Sequence, residues 1–67
     1  MWEVKMYLSG NKEDPFKMFD SRAEAEEFKD MVERAMDNRR LIRFKRNNRE
    51  FTVDGMYVVM VEVYQAY

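Results

Sequence analysis

The sequence predicts a small α+β domain, β(β)αβββ in chain order: an antiparallel or mixed sheet with one helix packed on one face. Three observations predict it. One stretch, 22–38, carries a capped amphipathic helix. A second, 41–53, has the pattern of a hairpin around Asn47-Asn48. A third, 56–64, is rich in β-branched and aromatic residues and has apolar side chains on both faces of a strand. With 67 residues the chain is one domain, near the lower limit for folding without disulfides or metals. It has no Cys and no His, so neither a disulfide nor the usual zinc site supports it. Small chains without these supports often associate.

Taken in order, Trp2, Val4, Met6 and Leu8 alternate with Glu3, Lys5, Tyr7 and Ser9, as in a strand with one apolar face. Residues 9–15, with Gly10 and Pro15, read as a turn or loop. The segment 16–19 is short and apolar, either a second strand hairpinned to the first or an extended lead-in to the helix, and the short strand is the expectation. Ser21-Arg22-Ala23-Glu24 fits a capping box, in which the serine hydroxyl accepts from a backbone N–H and the glutamate reaches back. From there to about Asn38 the chain lacks Gly and Pro and has one β-branched residue, Val32. At helical spacing Ala25, Phe28, Met31, Val32, Ala35 and Met36 share a face. Arg39 and Arg40 then suit the negative end of the helix dipole.

A two-residue loop at Asn47-Asn48 sets a register. It places Arg46 opposite Arg49, Lys45 opposite Glu50, Phe44 opposite Phe51, Arg43 opposite Thr52 and Ile42 opposite Val53. An ion pair and an aromatic pair then fall on opposite faces. Asp54-Gly55 reads as a further hairpin turn. A two-residue loop there puts Met56, Val58 and Met60 on the face of Phe44 and Phe51; a three-residue loop puts Tyr57, Val59, Val61 and Val63 there instead. The second gives the more continuous apolar face and is the register expected.

Many enzyme classes lose their usual groups. Without His or Cys there is no nucleophile–imidazole arrangement, and Gly10 and Gly55 stand alone, so no glycine-rich phosphate loop exists. The expectation is a non-enzymatic protein with no cofactor and no metal. No apolar run reaches the roughly 20 residues of a membrane span, and the N-terminus is not a basic-then-apolar signal. An intracellular, cytoplasmic protein is expected.

The net charge of -1 is unevenly spread. Seven acids meet three bases from Asp20 to Asp37, and six bases meet one acid from Arg39 to Glu50. Such asymmetry bears on partners. Glu26, Asp30, Glu33 and Asp37 form a stripe on the outer helix face, either a solvated surface or an acidic interaction surface. As a divalent-cation site it lacks a second carboxylate cluster and calcium-loop spacing. Arg39, Arg40, Arg43, Lys45, Arg46 and Arg49 are candidates for contact with nucleic acid or an acidic partner, with Phe44 or Tyr7 as stacking rings. Cationic outer positions also simply guard a hairpin against edge-to-edge aggregation.

One helix cannot cover both faces of the 56–64 strand. Met56, Val58, Met60 and Tyr64 are therefore the candidate interface, for a second copy or a protein partner of unknown identity. The leading expectation is a homodimer joined through its sheet and acting as an adaptor or inhibitor, as small phage-encoded proteins do. The alternative is a nucleic-acid-binding module using the 39–49 hairpin.

Overall fold

The computed structural model describes residues 1–10 and 13–67. The loop expected over 9–15 includes Asn11 and Lys12, which lie outside the described residues. The elements are β1 (Trp2–Leu8), β2 (Phe16–Phe19), α1 (Arg22–Asn38), β3 (Leu41–Arg46), β4 (Arg49–Asp54), a 3-10 turn (Gly55–Tyr57) and β5 (Val58–Gln65). One helix packs against five antiparallel strands, an α+β domain. The strands form a three-stranded sheet of order β2-β1-β5 and a separate hairpin, β3-β4.

The helix begins where its cap dictates. Ser21 is extended (φ -120, ψ 151), and its hydroxyl accepts from the Glu24 N–H at 3.2 Å. The reciprocal half of the box differs from expectation. The Ser21 hydroxyl itself donates to Glu24 Oε1 at 3.0 Å, so the carboxylate orders the cap through the side chain rather than the backbone. At the other end Arg39 is left-handed (φ 55, ψ 48), and the Arg40 N–H reaches back to Ala35 O at 2.9 Å. Orphan helix carbonyls are satisfied this way, most often with glycine in the left-handed position.

The β3–β4 hairpin has the expected register at every pair from Ile42–Val53 to Arg46–Arg49. Asn47 (φ 50) and Asn48 (φ 63) both take the positive φ of a two-residue turn. Ile42, Phe44 and Val53 point inward and are buried, while Leu41, Arg43 and Lys45 face solvent.

Asp54-Gly55 does not fold β5 back on β4. Both registers weighed for that turn are incorrect. The Asp54 carboxylate accepts from the Met56 N–H at 3.0 Å and closes the 3-10 turn. The Gly55 N–H donates to Arg40 O at 2.9 Å, tying the exit of β4 to the helix C-terminus. The chain then runs beside β1, antiparallel, from Leu8–Val58 to Trp2–Gln65. A β-bulge at Val59 shifts the register between Tyr7 and Leu8. The last strand thus starts at Val58, two residues later than its apolar run.

The core lies between α1, the inner face of the three-stranded sheet and the inner face of the hairpin. Met6, Val32, Ala35, Ile42, Phe44, Val53 and Val58 form one buried cluster, flanked by Leu8, Phe28, Met36, Phe51 and Val61. Aromatic rings run through it. Phe19 and Phe28 lie 5.3 Å apart, Phe28 meets Phe44 edge-on at 5.7 Å, and Phe44 stacks on Phe51 at 5.0 Å. Among the described residues no helix is long and apolar enough to cross a membrane.

Candidate self-association surface

Because β5 ends the sheet, one of its edges is unpaired among the described residues. The backbone directions follow from two bonds. Ala66 N–H donates to Met1 O at 2.9 Å, so even-numbered residues at this end of β5 bond toward β1. Met6, opposite Val61, turns its N–H away from β5 to Pro15 O at 2.9 Å. The alternation of an antiparallel ladder then aims the N–H and C=O of Val61, Val63 and Gln65 at the open edge. Exposed apolar residues gather there: Val59 (64% exposed), Met60 (48%), and Met56 and Tyr57 in the preceding turn. An unpaired apolar edge is a template for another strand.

The sheet's outer face is uncovered by the helix. It carries Glu3, Lys5 and Tyr7 of β1 opposite Tyr64, Glu62 and Met60 of β5. Tyr7 donates to Glu62 Oε1 at 2.8 Å, and Tyr64 donates to Glu3 Oε2. Lys5 Nζ sits 5.4 Å from the Tyr7 ring centroid. The bond to Glu3, with partial desolvation, pushes the Tyr64 phenol up to about 12; the bond to Glu62 raises that of Tyr7. Both phenols therefore stay protonated donors at neutral pH.

Of the four interface candidates, Met60 and Tyr64 lie on this outer face and Met56 is exposed in the 3-10 turn. Val58 is a correction. It is only 6% exposed and belongs to the core cluster. The reason is the bulge at Val59, which puts Val58, Val61 and Val63 on the helix side and Met60, Glu62 and Tyr64 outside. Sequence reasoning left Tyr57 and Val59 out of the interface, and their exposure follows from the same turn and bulge. No local signal marks a bulge at Val59, which only its pairing with β1 reveals.

The basic residues do not form one surface. Arg43 and Lys45 face outward on β3, and Lys45 pairs with Glu50 at 3.6 Å. Arg46 turns inward beside the Asn47-Asn48 turn. Its guanidinium lies 3.8 Å from the Phe16 ring centroid and 4.7 Å from that of Phe51, and it donates to Phe16 O at 3.0 Å. Arg49 also approaches the Phe51 ring, at 5.5 Å from its centroid. Arg39 and Arg40 are engaged through their backbones in the helix stop. Phe44 is buried and cannot serve as a stacking platform; Tyr7 lies on the three-stranded sheet, away from the hairpin.

On α1, Glu33 pairs with Lys29 at 4.0 Å and Glu26 with Arg22 at 3.7 Å, while Asp30 and Asp37 are exposed. Such exposed pairs contribute well under about 1 kcal/mol each. Among the described residues no group of three or more acidic side chains is placed to hold a metal ion. Comparison with protein-family models, with curated proteins and with solved structures returns no match.

Proposed function

We propose that this chain is a small, non-enzymatic binding protein that self-associates through its sheet and acts by protein–protein interaction, as an adaptor or inhibitor of the kind phages encode. The observation that carries the reading is the unpaired edge of β5, an eight-residue strand that carries exposed Val59 and Met60 and follows exposed Met56 and Tyr57. The lack of His and Cys supports a role without catalysis.

Light scattering or sedimentation at micromolar concentration tests the reading. The protein is expected to be a dimer, and the double variant Val59→Lys/Met60→Lys a folded monomer with an unchanged circular dichroism spectrum. A clean monomer for the parent protein at tens of micromolar overturns it. Val58→Lys, by contrast, places a charge in the core and should unfold the chain.

A further inference from the structure

We infer that the strand seated on the β5 edge is β5 of a second copy, paired antiparallel about a two-fold axis at Val63, so that two three-stranded sheets join into one. This rests on the self-association reading above and adds its mode and register. An antiparallel pair related by a two-fold axis perpendicular to the sheet keeps each face on its own side. The axis must therefore pass through a residue rather than between two. The outward backbone groups belong to Val61, Val63 and Gln65, as the bonds of Ala66 and Met6 dictate. With the axis at Val63, Val61 faces Gln65 of the second copy, Val63 faces itself, and Gln65 faces Val61. Every outward N–H and C=O of β5 beyond the bulge is then paired.

The neighbouring registers fare worse. An axis at Glu62 sets two glutamates directly opposite each other, with Cα atoms about 4.5 Å apart, and like charges there are destabilising. An axis at Tyr64 pairs Val63 with Gln65 but matches Val61 with Tyr67, which lies beyond the strand. An axis at Val61 runs Val63 into the bulge at Val59. The axis at Val63 places Glu62 opposite Tyr64 of the second copy, a carboxylate beside a phenol.

Charge and shape favour β5 over the other edges. Glu62 is its sole charged residue, and that carboxylate already accepts from Tyr7. β4 carries Arg49, Glu50 and Asp54. The outer side of β2 is bridged to the hairpin by Lys17 Nζ to Lys45 O at 2.7 Å and by Arg46 to Phe16 O. The helix touches all three strands of its sheet. It therefore lies over the whole sheet rather than over the β5 edge alone, and joining two sheets at β5 sets the two helices side by side on one face.

Thiols placed one at a time test the register, since the chain has no Cys. Glu62→Cys and Tyr64→Cys are prepared separately, mixed, and oxidised. The mixture should cross-link at least about tenfold faster than either variant alone, because a direct pair is within disulfide reach and the diagonal one, at about 7–8 Å, is at or beyond its limit. Hydrogen exchange gives a second measurement. The amides of 61, 63 and 65 should gain protection with concentration, while those of 60, 62 and 64 stay protected throughout. Rapid cross-linking of Glu62→Cys alone overturns the Val63 axis. A dimer by light scattering with no concentration-dependent protection at 61, 63 and 65 overturns edge pairing but leaves self-association standing. A monomer overturns both.

Discussion

Replacing Gly55 by Ala tests the junction that steers β5 to β1. Gly55 does not have a left-handed backbone, so its Cβ is excluded by space. A Cβ there would lie 2.5 Å from Ala35 O, 2.7 Å from Arg40 O and 2.8 Å from Ala35 C, all backbone atoms. Restoring ordinary contact at about 3.4 Å needs a displacement of roughly 0.6–0.9 Å from the helix C-terminus. That displacement stretches the Gly55–Arg40 hydrogen bond, now 2.9 Å. Overpacking costs about 1–3 kcal/mol and the weakened bond about 1 kcal/mol. The lost freedom of the unfolded chain returns about 0.4–1 kcal/mol. The net loss is about 2–3 kcal/mol, or roughly 10–20 °C in Tm for a domain of this size. Urea unfolding should show a lower midpoint with an unchanged slope. Gly10 provides the contrast. It has φ +71 and nothing within 4 Å of a Cβ, so Gly10→Ala should lose about 1–2 kcal/mol by conformation alone. Gly10→Asn should recover part of that loss, whereas Gly55→Asn should recover nothing. A Gly55→Ala protein within about 0.5 kcal/mol of the parent would refute the steric reasoning.

Three other outcomes are expected. Arg39→Gly should raise stability by about 0.5–1 kcal/mol in urea titrations, because Arg39 holds a left-handed backbone that glycine adopts without strain. Phe28→Ala should cost about 3–4 kcal/mol by the same assay, since Phe28 joins Phe19 to Phe44 in the ring series. Tyr64 gives a pH dependence. Its phenol is raised from 10.0 to about 12, so its bond to Glu3 contributes fully below about pH 10 and is lost as pH rises toward 12. Tyr64→Phe should lower the urea midpoint at neutral pH and flatten the decline between those limits, and an unchanged decline would remove Tyr64 as its source.

Local chemistry was legible in the sequence where near neighbours decide the outcome. The Ser21 cap, the helix to Asn38 and the Asn47-Asn48 hairpin each rest on interactions within a few residues. The exposed Met56 and Met60, and the half-buried Tyr64 on the outer face, are what counting one helix against a strand with two apolar faces leads to. Asp54-Gly55 misled because the same dipeptide suits a tight hairpin and a close backbone approach. Which one occurs depends on Ala35 and Arg40.

The sequence by itself determined the element order, the helix boundaries and the hairpin register, because periodicity, capping and turn chemistry act locally. Only the tertiary structure decided that β5 leaves β4 and pairs with β1. That pairing joins Trp2 to Gln65 across almost the whole chain, and apolar alternation cannot distinguish one partner strand from another. It also set the bulge at Val59, which sent Val58 into the core and left Val61, Val63 and Gln65 at the open edge. A shift of one residue reverses the face of every side chain beyond it, so the exposed surface of β5 was fixed by a contact between distant parts of the chain.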